Sequence, residues 1–277
     1  MLSRRQFLKG VVAAGATAMV VDGFLLDPRR IAIIEKTVPI HGLPEAFEGF
    51  RICQLTDIHH GFFVNIEYIK ECIAKANNLM PDIMVLTGDY IDRSSAYINP
   101  VADALGRLEA PYGVLAVLGN HDHWADVKLV RKAFHDKDIP VIENTHRLIE
   151  KDGDVICIAG VGDLLEDIQD LQLALNGVSP DIPRVLLSHH PDYAEEMQRT
   201  ERVDLVLAGN THGGQISMPF SFAPYTASRY GQKYIGGLVK LEHTQVYVSR
   251  GIGVAPPPVR FNCSPEITMI KLIRAFT

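Results

Sequence analysis

The 277-residue sequence has no surplus of positive charge. It holds 27 Lys and Arg against 33 Asp and Glu, a net charge of −6. Nucleic-acid binders usually carry a basic excess, so this balance argues against that class of partner. Cysteine is scarce. Cys53, Cys72, Cys157 and Cys263 form no C-x-x-C pair and match no zinc-site spacing. Cys53 and Cys157 lie inside apolar runs and read as small buried hydrophobes, and nothing in the sequence demands a disulfide. No internal repeat and no low-complexity linker is present. The N-terminal apolar run from Val11 to Val21 is broken by Asp22. It falls short of the ~20 residues that span a bilayer comfortably.

Hydrophobic residues make up 47% of the chain and charged residues 22%. That is enough to bury one substantial core, in one large domain or two small ones, and the charge content speaks against wholesale disorder. The eleven histidines are more informative than the net charge, because several sit in tight clusters with Asp and Asn.

The chain opens with Ser3-Arg4-Arg5-Gln6-Phe7-Leu8-Lys9 before the apolar run. Paired arginines ahead of a short hydrophobic segment are the layout of a bacterial twin-arginine export signal, and S-R-R-x-F-L-K resembles its full consensus. Ala16-Thr17-Ala18 offers an early cleavage site, while Phe24-Leu25-Leu26 extends the apolar stretch beyond Asp22. The segment is therefore either removed or kept as a membrane anchor. Residues 1–30 are assigned to this signal and 31–277 to the folded domain.

Periodicity divides the body into alternating strands and helices. Strands are expected at 31–39, 50–56, 82–87, 113–118, 184–188, 203–208, 245–249 and 266–272. Shorter ones are expected near Val141, Leu148 and 155–159. Helices are expected at 66–79, capped by Asn65 and stopped by Pro81, then at 100–108, 128–134, 164–175 and 193–199. Pro256-Pro257-Pro258 reads as a stiff loop.

Five of the apolar strands end in polar clusters. These are Asp57-Ile58-His59, Gly88-Asp89-Tyr90-Ile91-Asp92, Gly119-Asn120-His121-Asp122, Ser188-His189-His190-Pro191 and Gly209-Asn210-Thr211-His212. Ligands of α/β sheets bind outside the carboxyl ends of strands, so the five clusters should meet at one site. All the donors are oxygen or imidazole nitrogen, which favours Mn, Fe or Zn. The set is too large for one four-coordinate ion and suits two.

In order and spacing the clusters resemble the motifs D-x-H, G-D-x-x-D, G-N-H-[DE], a His after a strand, and G-H-x-H of the calcineurin-like metallophosphoesterases. Gly213-Gly214-Gln215, the stretch from Tyr247 to Gly253, and Arg260-Phe261-Asn262-Cys263 with Pro265-Glu266 resemble the exported or membrane-associated YkuE-type branch. The resemblance implies an α/β fold, a four-layer α/β/β/α sandwich of two mixed β-sheets flanked by helices. It also implies a phosphoester hydrolase with two divalent metal ions, in which a metal-bound hydroxide attacks phosphorus in line. Asp57, His59 and His212 would hold one metal, Asn120 and His189 the second, and Asp89 would bridge them. His121 would serve the leaving group, Asp92 would orient His121, and Arg93 loosely matches a phosphate-contacting position. Twin-arginine export moves folded proteins, which suits an enzyme loaded with metal before it crosses.

The chain departs from the pattern at Asn210, where the last motif has an imidazole. An amide is a weaker ligand for Zn or Fe and suits harder cations, so the expectation is a weakened second site. His60, His123 and His190 adjoin motif residues without matching a ligand position and read as cleft-wall or supporting groups. His189 is preferred over His190 because it directly follows the strand. His41, His135, His146 and His243 read as ordinary histidines. Trp124 reads as cleft wall or core, and the stretch from Phe220 to Tyr234 as a substrate loop, a lipid-facing patch or plain surface. The implied partners are a phosphoester substrate, a lipid among the candidates, and the twin-arginine export machinery. The leading function is a phosphoester hydrolase outside the cytoplasm. The alternatives are a membrane enzyme cleaving a phospholipid or the pyrophosphate of UDP-diacylglucosamine, and a binding protein crippled at Asn210.

Overall fold

A computed structural model describes residue 23 and residues 27–197, 199–218 and 222–275. The twin-arginine segment, its cleavage site, the Val11–Val21 run and Phe24–Leu26 lie outside the described residues.

Eleven strands are present: β1 (Ala32–Ile40), β2 (Arg51–Leu55), β3 (Ile83–Thr87), β4 (Val114–Val117), β5 (Thr145–Lys151), β6 (Asp154–Gly160), β7 (Arg184–Leu187), β8 (Leu205–Ala208), β9 (Gly237–Lys240), β10 (Gln245–Val248) and β11 (Glu266–Arg274). They form two mixed sheets, one in the order β1-β11-β2-β3-β4 and one in the order β5-β6-β7-β8-β10-β9. The helices are α1 (Ile66–Asn78), α2 (Ile98–Leu105), α3 (Asn120–His135) and two single turns, α4 (Leu171–Ala174) and α5 (Tyr193–Glu196). The architecture is the four-layer α/β/β/α sandwich.

Three apolar clusters explain the layering. Ile52, Val85 and Val117 of the first sheet pack with Val185, Leu207 and Tyr247 of the second. The opposite face of the first sheet buries Cys53, Met84 and Ala116 under Ile69, Val101, Leu105 and Phe134 of the three longer helices. The outer face of the second sheet is covered by Leu171, Ala174 and Ala194. Both faces of the inner strands are therefore dry, which is why β3 is apolar without alternation. All four cysteines are buried and free, as small hydrophobes in this packing.

Most of the expected elements are present, and the differences have local causes. α1 starts where Asn65 Oδ1 accepts from Tyr68 N at 2.9 Å. α3 begins at Asn120, eight residues ahead of the expected start, so the third cluster is itself a helix N-terminus. A break at Asp126 separates its halves, and the Asp126 carboxylate recaps the second half at Leu129 N. The expected helix 164–175 shrinks to Leu171–Ala174. Asp163 Oδ1 accepts from Leu165 N and Glu166 N, and these side-chain bonds hold the preceding residues in turns. The helix expected at 193–199 stops at Glu196, where Met197 is already extended. β9 is a half-exposed edge strand with no clear apolar pattern, and periodicity missed it. Val141 forms only an isolated bridge to Ala116. Among the described residues no helix is long and apolar enough to cross a membrane.

Asn65→Ala should cost about 1 kcal/mol through loss of one capping bond. Ile52→Ala, between the sheets, should cost about 2–5 kcal/mol. Urea unfolding of both variants measures the difference, and equal midpoints would contradict this account of the core.

Candidate metal centre

β2, β3 and β4 of one sheet and β7 and β8 of the other deliver their five clusters to one cavity of about 620 Å3. The backbone there is bent sharply. Asp57, His59, Asp89, Asn210 and His212 all have φ between 48° and 64°, in the left-handed region. Such positions cost of order ~1 kcal/mol each and persist only where surrounding structure enforces them. Glycine makes the close approach feasible. A Cβ on Gly209 would lie 2.2 Å from Asp57 Oδ2, and one on Gly119 would lie 2.3 Å from Asp89 Oδ1.

The donor atoms face one another. His59 Nε2 lies 3.0 Å from His212 Nε2 and 3.4 Å from Asp89 Oδ2. His212 Nε2 is 3.2 Å from Asp57 Oδ1, and His189 Nε2 is 3.3 Å from the same Asp89 Oδ2. Two donors on one ion at about 2.0–2.1 Å from it stand about 3.0–3.4 Å apart, so these separations are the edges of a coordination shell. Asp89 Oδ2 is shared between the two groups. Asn120 Oδ1 and His189 Nε2 are buried with no hydrogen-bond partner. Buried polar atoms are normally paired, and a cation here would satisfy both. The residues present therefore fit metal ions.

The rear side of each group is tied down. His189 Nδ1–H donates to Thr87 O at 2.7 Å, which turns Nε2 toward the cavity. Asn210 N and Thr56 Oγ1 donate to the Asp57 carboxylate, and His121 N donates to Asp89 Oδ1. His121 meets His59 edge-on, with ring centroids 4.5 Å apart. Its Nδ1–H donates to the main-chain carbonyl of Asp92 at 2.5 Å, whereas the Asp92 carboxylate is 3.5 Å away. The main chain of Asp92 is thus its nearer contact with His121. Arg93 is exposed and lies over the Trp124 ring at 5.4 Å, at the cavity rim. Asn210 turns its side-chain amide to His190 Nδ1, 2.8 Å away.

The electrostatics are those of buried carboxylates and imidazoles pressed together, in which the carboxylates around His189, Asp89 foremost, hold its imidazole well above the ordinary value against the cost of burial. Burial pushes His59 down to about 3, and burial with the neighbouring His59 lowers His212 well below the ordinary imidazole value. Both imidazoles are neutral at neutral pH, with lone pairs available to a cation. Burial, reinforced by the Asp89 charge, pushes Asp57 up to about 6. Burial opposes ionisation of Asp89 as well, but the surrounding imidazoles, His189 foremost, hold its carboxyl far below the usual range.

Two supports escaped sequence reasoning. Asp122, fully buried, accepts from Asp89 N, Tyr90 N and Gly119 N at 2.9 Å each and locks the second and third clusters together. Burial and the adjacent Asp89 charge push it up to about 8. Arg260, also fully buried, donates to the carbonyls of Gly253, Cys263 and Arg250 and reaches His212 Nδ1 at 3.4 Å. Glu266 binds Arg250, Tyr247 and Thr268 beside it. The tail motif, legible only as a branch signature, backs the His212 side of the centre.

The remaining histidines separate by placement. His60 Nδ1–H donates to Val64 O, and the ring packs on Tyr97. His123 sits near Glu143, His146 bonds Ala174 O, and His243 bonds Ala194 O. His135 is exposed on α3. His190, in contrast, lines the cavity, as do Trp124, Leu165, Tyr225, Pro257 and Val259. Of the aromatic stretch from Phe220 to Tyr234, residues 220 and 221 lie outside the described residues, Tyr225 faces the cavity and Tyr234 is buried.

A carboxylate and imidazole nest at the carboxyl ends of two facing sheets defines the class as metal-dependent hydrolases. Residues 50–214 match the calcineurin-like phosphoesterase family, and residues 1–21 match the twin-arginine translocation signal sequence. The chain is 36% identical to the uncharacterised metallophosphoesterase YkuE of Bacillus subtilis, across 98% of both chains. It is 30% identical to the phosphodiesterase YaeI of Escherichia coli, across 99% of this chain and 100% of that one. A Thermus thermophilus sulfate thiohydrolase superposes with a TM-score of 0.51 at 10% identity, covering 83% of this chain and 57% of that one. The chain belongs to the calcineurin-like phosphoesterase family, and it is a hydrolase of phosphoester bonds carrying a twin-arginine signal.

The raised Asp57 value makes cation binding pH-dependent. Its carboxyl lies above the ordinary value of 3.8, so the proton stabilises the metal-free fold at low pH. That contribution fades as pH rises through about 6. A divalent cation must displace this proton. The rise in Tm on adding Mn2+ to chelator-treated protein should therefore be small at about pH 5 and larger at about pH 7.5. A rise independent of pH would contradict it.

Proposed function

We propose that the chain is a two-metal phosphoesterase acting outside the cytoplasm. The observation that carries this reading is the convergence of buried carboxylate, amide and imidazole donors on both sides of Asp89, with Asn120 Oδ1 and His189 Nε2 left unpaired. Asp57, His59 and His212 would hold the first ion and Asn120 and His189 the second, with Asp89 shared between them. Asn210, at the last ligand position of the motif, has only an amide to offer. When bound, the ions supply Lewis-acid polarisation of the phosphoryl oxygen and lower the pKa of a water toward neutrality.

The chain's own groups do the rest. His121, held by the Asp92 main chain, faces the cavity beside His59 and serves the leaving oxygen as proton donor or charge stabiliser. Arg93 and Trp124 form the rim where the ester enters, with Arg93 offering charge to phosphate. Residues 1–21 direct the folded protein to the export machinery, and residues 31–277 form the catalytic domain. The cavity wall of Trp124, Leu165, Tyr225, Pro257 and Val259 is apolar. It favours esters bearing an apolar group, a phospholipid among them, over small polar phosphates.

The test is hydrolysis of p-nitrophenyl phosphate, its bis ester and a phospholipid panel with Mn2+ supplied. Turnover of at least one ester that stops on chelation is expected, and no turnover of any would overturn the reading. His121→Gln should lower kcat by about 100-fold or more while leaving metal content unchanged. Unchanged kcat would remove His121 from the mechanism.

A further inference from the structure

Beside Asn210 the cavity floor holds three buried donor atoms with no hydrogen bond: Asp163 Oδ2, His189 Nε2 and His190 Nε2. Asp163 is 0% exposed, His189 1% and His190 4%. Donor atoms of the three residues lie within 4.8 Å of one another. His190 Nε2 and Asp163 Oδ2 are 3.2 Å apart, again the edge of a coordination shell, yet they meet without hydrogen-bond geometry. A buried polar atom left unpaired costs about 1–3 kcal/mol, and more when charged. Three such atoms on neighbouring buried residues are costly unless something positive sits among them.

The far side of each residue is satisfied, as in ligands held for a metal. Asp163 Oδ1 accepts from Leu165 N and Glu166 N, and His189 Nδ1–H donates to Thr87 O. His190 Nδ1 is 2.8 Å from the Asn210 amide. The amide's oxygen and nitrogen fill nearly identical space. Turned over so that its oxygen replaces Nδ2 beside His190, it accepts from Nδ1–H, which leaves the Nε2 lone pair bare and 3.2 Å from Asp163 Oδ2. The opposite orientation, with Asn210 Nδ2 donating to Nδ1, would put a proton on Nε2, which faces Asp163 Oδ2 at 3.2 Å without hydrogen-bond geometry.

We propose that His190 and Asp163 are ligands of the second metal ion, with Asn210 a positioning residue that fixes the His190 tautomer. This rests on the two-metal reading above. The imidazole that the last motif carries at position 210 is replaced by one from the neighbouring strand end, and the second ion gains a carboxylate. His189, which the two-metal reading already gives to the second ion, is joined by His190 and Asp163, whose ligand atoms lie within 4.8 Å of it and of each other, and the added carboxylate suits Mn2+. Asn210 is accordingly a rearrangement of the centre, and a crippled second site does not follow from it.

The test is metal stoichiometry by elemental mass spectrometry on full-length protein loaded with Mn2+, together with the spin-coupled Mn pair signal in electron paramagnetic resonance. The native chain should hold two equivalents with coupling. His190→Asn should drop to one and lose the coupling. His190→Asn combined with Asn210→His should regain the second ion. Asp163→Asn should weaken the second ion by at least about tenfold. If His190→Asn folds poorly, His190→Gln gives the same readout, and the double variant supplies the rescue. Two tightly held ions in both single His190 variants would overturn the proposal and leave the two-metal reading standing. A native chain holding fewer than two would overturn both.

Discussion

Asp89 is the interaction on which the centre depends. One of its oxygens lies 3.4 Å from His59 of the first group and 3.3 Å from His189 of the second. His59 follows β2 of the first sheet and His189 follows β7 of the other, so Asp89 joins the two sheets as well as the two halves of the site. Its charge is held against complete burial, chiefly by the His189 imidazole beside it. The same charge raises Asp57 and Asp122. One carboxylate thus sets the protonation of its neighbours and creates the demand for cations.

That demand explains the strained backbone. Five donors or near-donors in the left-handed region would be a liability in an ordinary turn. Here they let strands that end in parallel turn their side chains back over a common point. Asp122 fastens the turns from below with three backbone bonds, and buried Arg260 fastens the His212 side through carbonyls. Stability is spent at the strand ends and recovered in the three apolar layers.

The sequence made the strand ends legible because each couples an apolar run to a Gly-containing polar cluster, and chain order alone brings such ends together in this kind of sheet. The helices were less legible. Asp163 and Asp170 turn their carboxylates onto the chain ahead and break a stretch that periodicity reads as helix. β9 lacks alternation because it is a half-exposed edge. Asp163 carried no motif signal, and Arg260 and Glu266 showed only as a family signature. Their importance comes from being fully buried with polar groups to satisfy, a property that emerges only in three dimensions. His190 reads from sequence as a cleft-wall or supporting group because its neighbour occupies the expected ligand position.

The pairing of β1 with β11 has a consequence for the life of the chain. β11 is the last strand, yet it lies between β1 and β2, with Ala32 opposite Glu266 and Ile52 opposite Ile270. The first sheet is complete only once β11 has been made, and contacts this distant in sequence form slowly. Glu266, which anchors Arg250 beside the centre, arrives with that strand. Completion of the first sheet and of the His212 side therefore waits for β11. A chain built this way is poorly matched to threading through a membrane as it is synthesised, and well matched to a route that carries finished, folded cargo.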